Sequence, residues 1–303
     1  MSERARLPAD IVERALGAYL GLAVGDALGA TVEFMDAETI AQRYGVHRKM
    51  VGGGWLNLPR GAVTDDTEMS LSLGAAITQQ GRFELQHIAD AFVTWLRSKP
   101  VDCGSTVRRG IGRYLRDGSL MGPQRDNDAG NGAVMRNLPV VLCSLGDEAA
   151  MTERTLLQCR LTHNHPYSDA AALALARITA ALLCGTDLCD VRALADELIV
   201  RHAVFAFEGY RGPATAYVVD TTRTVLAHFF ENDDFERILV ATVNRGDDAD
   251  TTGALAGMLA GARFGRAAIP SEWTSRLDPK IRNAIIDQVP RLLALAPLFD
   301  GAR

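Results

Sequence analysis

Thr64-Asp65-Asp66-Thr67-Glu68 decides how this chain is read, together with its distant counterpart Asp247-Asp248-Ala249-Asp250-Thr251-Thr252. Each cluster packs carboxylates and hydroxyls together and runs straight into a small-residue apolar stretch, Met69 to Ile77 after the first and Gly253 to Ala262 after the second. That order predicts a loop ending at the N-terminus of a buried helix, where Asp and Thr cap well and the helix dipole favours negative charge. One capping carboxylate satisfies a helix end. Adjacent carboxylates beside a Thr exceed that need, and Asp65, Asp66, Asp248 and Asp250 brought together repel one another unless a cation lies among them. Either cluster alone reads as a solvated cap. Two clusters of the same grammar read as halves of one site.

If the halves converge, their charge calls for two divalent ions, with the hydroxyls of Thr64 and Thr251 as neutral donors. Neither cluster contains His or Cys. An all-oxygen set suits Mg²⁺, Mn²⁺ or Ca²⁺ over Zn²⁺. Two such ions ~3.5–4 Å apart can orient a substrate and activate a water between them.

The rest of the chain narrows the setting. Its 303 residues are 48% hydrophobic and 23% charged with a formal net charge of −5, an ordinary globular composition with no basic run for nucleic acid. The five cysteines show no CxxC spacing, which argues against a disulfide framework and for a reducing cytoplasm. No apolar stretch reaches the ~18 residues of a membrane span, and the mixed-charge segment from Met1 to Asp10 does not read as a signal peptide.

Helical periodicity dominates throughout. Ile11 to Ala30 carries a helical apolar face, and Gly17, Gly21, Gly25 and Gly29 recur along one line of it. Glycine costs about 1 kcal/mol in a helix, so that line predicts a second backbone packed close. Asp26 interrupts the apolar content and reads as a buried cap or a group behind the site; Glu33 is a lone acid among apolar neighbours. Gly45 to Val63, with Gly52-Gly53-Gly54 and Pro59, is a long loop. Further helices are expected over Thr67–Ile77, Phe83–Arg97, Ser105–Arg116, Ala133–Leu145, Met151–Leu161, Ser168–Leu183, Val191–Val204, Ala214–Phe230, Phe235–Val243, Leu255–Phe264 and Ile281–Leu298, with loop from Pro270 to Lys280. Asp102 stands at a helix N-cap position, and the cap is the reading its position favours. Asp126 to Gly132 is a polar, glycine-rich turn that lets bare amides approach a ligand, with only a faint likeness to a calcium loop. His163 and His165 lie in a loop where one histidine contacts ligand or both serve structure. No strand alternation, repeat or linker is visible, so the chain reads as one all-α domain over residues 1–303.

These motifs resemble the ADP-ribosylglycohydrolase family. Its marks are Gly25-Asp26-Ala27-Leu28-Gly29 with Glu33, Thr64-Asp65-Asp66-Thr67, and Gly246-Asp247-Asp248-Ala249-Asp250-Thr251-Thr252-Gly253. The segments Gly52-Gly53-Gly54-Trp55, Arg97 to Asp102, Gly130-Asn131-Gly132 and Leu161 to Pro166 fit a subgroup whose target is ADP-ribosylated dinitrogenase reductase. The resemblance spans nearly the whole chain. It implies a single compact many-helix orthogonal bundle and hydrolysis of the N-glycosidic bond between ADP-ribose and an arginine side chain at a binuclear Mn²⁺ or Mg²⁺ centre. Thr64, Asp65, Asp66, Asp248, Asp250 and Thr251 are then the metal ligands, Asp102 the catalytic acid/base and Glu33 a loop acid that closes on the metals. Gly130, Asn131, Gly132 and Met135 are contacts of the ADP-ribose, with His163 and Tyr217 around the substrate and Ser105 and Thr106 beside Asp102. Ser105 departs from the pattern, standing where related chains carry Asn. The resemblance further implies a monomer under a PII-type signalling protein, with no nucleic acid and at most peripheral membrane recruitment.

Two rivals make different use of the same residues. An all-α diphosphate enzyme of the terpene type also binds Mg²⁺ through Asp-rich helices, but DDxxD spacing is absent and aromatic content is only 6%. A relative that binds ADP-ribose without cleaving it is opposed by the intact acidic set.

Overall fold

The line of glycines on the first helix is met by a second such line. In the computed structural model, which describes residues 8–302, α1 (Ala9–Gly29) packs along α12 (Ala249–Phe264). Gly17 faces Gly261, Gly21 faces Gly257, Gly25 faces Gly253 and Gly29 faces Ala249. Numbers fall on one helix as they rise on the other, so the pair is antiparallel. At each station a Cβ on α1 would overlap a carbonyl of α12. The two backbones therefore touch at four stations along more than three turns, and the dispersion gained along that seam offsets the helix propensity lost at each glycine.

Between and around this pair lie α2 (Ala37–Tyr44), α3 (Asp65–Gln80), α4 (Leu85–Arg97), α5 (Ser105–Asp117), α6 (Leu138–Ser144), α7 (Glu148–Arg160), α8 (Pro166–Leu183), α9 (Leu188–Arg201), α10 (Val218–Glu231) and α11 (Phe235–Val243). After α12 come α13 (Ser271–Arg276) and α14 (Pro279–Leu293). Among the described residues the only β pairing is three isolated bridges, and the fold is all-α. One hydrophobic cluster runs from Ala15 in α1 to Ala296 beyond α14 and takes in α8, which is apolar nearly all round as its sequence suggests. No helix among the described residues is long and apolar enough to cross a membrane. Residues 1–7 of the Met1–Asp10 stretch lie outside the described residues.

Several expected boundaries move. The helix foreseen from Ala133 begins only at Leu138, because residues 131–137 form successive turns (Val134 N donates to Asn131 O at 2.8 Å, Asn137 N to Val134 O at 3.2 Å) and Pro139 suits a helix's first turn. The helix foreseen from Ala214 begins at Val218, since residues 214–217 run extended against the Gly130 turn. The expected loop at 270–280 contains α13, whose Trp273 is buried and donates its indole N–H to Arg48 O at 3.0 Å.

The seam makes the first prediction. Gly21→Ala should destabilise the protein by about 3 kcal/mol, because the added methyl meets rigid backbone. Gly112→Ala, in α5 with nothing within 4 Å of the added Cβ, should stabilise it by up to about 1 kcal/mol. Urea denaturation of the two variants checks the contrast, and equal stabilities would refute the seam.

Candidate metal centre and substrate cleft

Asp26 is where the site begins. It lies in the last turns of α1, fully buried, and its carboxylate accepts Thr64 N at 2.9 Å, Thr67 N at 3.1 Å and the hydroxyls of Thr64 and Thr67 at 3.0 and 2.5 Å. It caps α3 from a different helix. Both roles its sequence position suggested are seen: it caps α3, and through the Thr64 hydroxyl it stands directly behind the acidic group. Burial still raises its carboxyl to about 7 against those hydrogen bonds.

This cap fixes the first acidic cluster, and the glycine seam fixes the second. Gly29 meets Ala249, so the N-terminus of α12 arrives beside the C-terminal end of α1, where Asp26 holds the N-terminus of α3. The two clusters consequently meet. Thr64 Oγ1 is 3.2 Å from Asp66 Oδ2 and 3.3 Å from Asp250 Oδ2, and Thr251 Oγ1 is 3.3 Å from Asp66 Oδ2. Asp66 and Asp250 are thus within reach of the same hydroxyl, although 184 positions separate them in the chain. Carboxylate oxygens of Glu33, Asp248 and Asp250 also lie within 4.8 Å of one another, a grouping that can hold a metal ion.

The group has too many acceptors for its donors. Thr64 Oγ1 carries one proton and sits within 3.3 Å of oxygens from Asp26, Asp66 and Asp250. Asp66 Oδ1 is buried with no hydrogen-bond partner. No Lys or Arg nitrogen forms an ion pair with Asp26, Glu33, Asp65, Asp66, Asp248 or Asp250 among the described residues. Burial, then mutual repulsion, raises Asp66 and Asp250 well above the usual carboxylate range. Burial likewise raises Asp65 to about 8, further pushed by Asp102, and Asp248 to about 6 despite a hydrogen bond from Asn131. Such a set is satisfied by protons or by hard cations, and its oxygen-only donors fit the latter.

The remaining expected residues surround this centre. Glu33 Oε2 accepts the indole N–H of Trp55 at 2.6 Å, and burial raises its carboxyl to about 8. Asp102 does not cap α5, contrary to the reading its position favoured. Gly104 occupies the N-cap, and Asp102 Oδ1 accepts Cys103 N at 2.8 Å. The irregular stretch at 102–104 instead leaves the carboxyl half-buried near Asp65, whose Oδ2 accepts Gly104 N at 3.4 Å. Asn131 is bound into the centre, its side-chain amide donating to Asp248 Oδ2 and to Thr221 Oγ1 at 2.9 Å. Its backbone N–H donates to Ala216 O at 3.1 Å and is therefore not a bare amide, whereas Gly130 and Gly132 pack against the His163 ring. Tyr217, partly exposed, pairs with Gly130 across an isolated bridge. Ser105 is exposed in the first turn of α5, and Thr106 Oγ1 accepts from Arg109 at 3.2 Å. Met135 is buried in the hydrophobic cluster. Asp128 forms an ion pair with Arg109 in a 3₁₀ turn, and the calcium-loop likeness of Asp126 and Asp128 has no counterpart here. Sequence reasoning missed Trp55 as the partner of Glu33 and Arg136 as a fully buried cation. A glycine triplet ahead of a tryptophan, and an arginine inside an apolar run, were the available signals.

The sequence model described as ADP-ribosylglycohydrolase matches residues 7–300, and the chain belongs to that family. It is 54% identical, over 94% of its length and 97% of the other, to the ADP-ribosyl-[dinitrogen reductase] glycohydrolase of Rhodospirillum rubrum. It is 31% identical to the ADP-ribosylarginine hydrolase Tri1 of Pseudomonas putida (strain GB-1), over 98% of this chain and 84% of that one. A solved structure described as an ADP-ribosylglycohydrolase-related protein complex superposes with a TM-score of 0.83 at 31% identity, covering 95% of this chain and 99% of that one. The terpene-type reading falls with this family assignment.

The raised carboxyls carry a pH signature. In metal-free protein the folded state binds protons that unfolded carboxyls, near 4, release earlier. The contribution of these groups to stability is therefore full below about 4 and is lost as pH rises from there to about 8. Calorimetry in EDTA should show Tm falling across that window, and Mn²⁺ should abolish the fall. A flat Tm in EDTA goes against an uncompensated acidic centre.

Proposed function

We propose that this chain is a metal-dependent hydrolase that removes ADP-ribose from a modified arginine of a protein, with dinitrogenase reductase as its target. The observation that carries this reading is the shared hydroxyl of Thr64, which ties Asp66 of one cluster to Asp250 of the other. The relative from R. rubrum names the dinitrogen reductase, and the relative from P. putida names ADP-ribosylarginine.

In this reading Thr64, Asp65, Asp66, Asp248, Asp250 and Thr251 hold two divalent ions, Mn²⁺ or Mg²⁺. Bound there, the ions supply Lewis acidity and a water of lowered pKa. Glu33 lies at the edge of the same group and, held by Trp55, closes it. Arginine leaves a sugar only if its guanidinium departs protonated or the ribose opens first. Asp102 has one oxygen on Cys103 N and, among the described residues, no donor to the other, so Oδ2 can take the proton of an attacking water and return it to the departing nitrogen. Gly130, Asn131, Gly132 and Met135 form one wall of the ADP-ribose cleft, His163 and Tyr217 flank it, and Ser105 and Thr106 line the approach to Asp102. The chain acts as a monomer of one domain in the cytoplasm under a PII-type signalling protein. A PII-dependent shift on gel filtration is the expected sign of that partner.

The direct test is release of ADP-ribose from an arginine-modified protein, with Mn²⁺ and after its removal by EDTA. Release only with metal is expected; binding of ADP-ribose with no release would make the chain a non-catalytic relative. Asp102→Asn should bind Mn²⁺ normally and lose at least about 100-fold in kcat. Asp250→Ala should weaken Mn²⁺ binding at least about tenfold, and unchanged affinity by calorimetry removes it from the ligand set.

A further inference from the structure

Arg136 lies in the turns between the Gly130 loop and α6, with no exposed surface. Its guanidinium sits 4.6 Å over the Phe92 ring and donates to Gln158 Oε1 at 3.0 Å, Gln158 O at 3.0 Å and Thr162 Oγ1 at 2.7 Å. No carboxylate pairs with it among the described residues. Buried cations without a counter-ion are expensive, and burial pulls its pKa down to about 10, still well above neutrality. What Arg136 does to Thr162 matters for the site.

Thr162 Oγ1 also lies 2.8 Å from His163 Nδ1, and among the described residues its partners are these two groups. Arginine has donors and no acceptor, so Thr162 must accept from Arg136. Its one hydroxyl proton then has a single acceptor in reach, His163 Nδ1. The opposite arrangement, with Nδ1–H donating to Thr162, would leave a buried hydroxyl proton with no partner. Nδ1 is therefore the acceptor and the ring proton is on Nε2. A second proton on the ring is opposed by burial first and then by Arg136 and Arg109, which hold its pKa well below the usual value.

The far edge of the ring points at the substrate loop. A Cβ built on Gly130 would lie 3.1 Å from Nε2, and one on Gly132 would lie 3.0 Å from Cε1. His163 as a residue is only 2% exposed. Its Nε2 has no protein partner among the described residues and is not one of the fully buried unpartnered atoms, so a proton there is open to a ligand or water on the loop side, whereas Nδ1 and Thr162 Oγ1 must satisfy one another inside the protein.

We propose that Arg136 is a positioning residue: acting through Thr162, it fixes His163 as the neutral Nε2–H tautomer, so that the ring offers a single donor to an oxygen acceptor of the ligand held against Gly130–Gly132. The ligand class is thus one that presents a phosphate, hydroxyl or ring oxygen there. A group presenting only a donor, such as an exocyclic amine, is rejected because it would face N–H with N–H. The tautomer assignment stands independently of the proposed activity; its use rests on that activity's substrate.

Long-range ¹H–¹⁵N spectra of histidine-labelled protein test the assignment, with the His163 signals, among six histidines, identified by their loss in His163→Gln. The wild type should show one tautomer, Nε2–H, unchanged from pH 6 to 8 on the order of the range around neutrality where free histidine titrates. Thr162→Val should give a tautomer mixture and weaken ADP-ribose binding about tenfold with Mn²⁺ affinity unchanged; Thr162→Ser should restore both. An Nδ1–H tautomer or a mixture in the wild type overturns the proposal, as does a folded Thr162→Val protein with tautomer and affinity both unaltered. A fixed Nε2–H tautomer in a wild type that binds no ADP-ribose leaves the relay standing and overturns the substrate reading instead.

Discussion

Backbone contact between α1 and α12 is the constraint from which the centre follows. Two helices that touch through glycine and alanine cannot slide by one residue without driving a Cβ into a carbonyl, so their register is fixed by sterics rather than by side-chain choice. That register sets the C-terminal end of α1 against the N-terminal end of α12. Asp26 is carried to the same place and takes hold of the N-terminus of α3. Three helix ends thereby meet without any of the acidic side chains having to draw the elements together. Two of those ends are N-termini, whose partial positive charge softens the repulsion of the carboxylates placed on them.

Softening is not neutralisation. A helix N-terminus contributes about half a unit of positive charge, well short of what Asp65, Asp66, Asp248 and Asp250 bring. The threonines add hydrogen bonds, yet Thr64 and Thr251 have one proton each. The nearest deeply buried cation, Arg136, is committed to Gln158, Thr162 and the Phe92 face. The fold therefore places its cation inside the core, where it orders the cleft wall, and leaves the acidic group for ions from outside. A centre completed by its own Lys or Arg would be more stable in the absence of metal and would have no open coordination to offer.

Much of this was legible in the sequence because it rests on local signals. The four glycines at helical spacing announce a partner backbone, and two Asp/Thr clusters ahead of apolar runs announce two helix starts. The partner itself was not legible. Gly253, Gly257 and Gly261 read as small residues in a helix until the register pairs them with α1. Asp102 misled because capping is a common use of Asp ahead of a helix; here Gly104 takes the N-cap and the Asp102 carboxyl lies close enough to Asp65, Glu33 and Asp248 to repel them. Helix starts at Leu138 and Val218 were placed too early for a shared reason: apolar content continues through residues whose backbone is held by the cleft, and periodicity reports burial, not hydrogen bonding.

The backbone itself records where the chain has been bent to serve the cleft. Among the described residues, left-handed φ at non-glycine positions occurs at Phe34, Asn57, Lys99 and Asp247. Phe34 follows Glu33 and Asp247 precedes Asp248, and the two are joined, with Phe34 N donating to Asp247 O at 2.6 Å and Asp247 N to Met35 O at 2.8 Å. Asn57 lies in the tight Gly53–Leu58 turn that presents Trp55 to Glu33, and Lys99 lies in the irregular segment between α4 and Asp102. Each such residue costs about 1 kcal/mol or more. Two of the four adjoin acidic residues of the cleft, while Asn57 lies two residues from Trp55 and Lys99 three from Asp102, and none sits in the helical body. The joined backbone of Phe34 and Asp247 is what sets Glu33 beside Asp248, and it lies directly beyond the end of the glycine seam, where Gly29 meets Ala249.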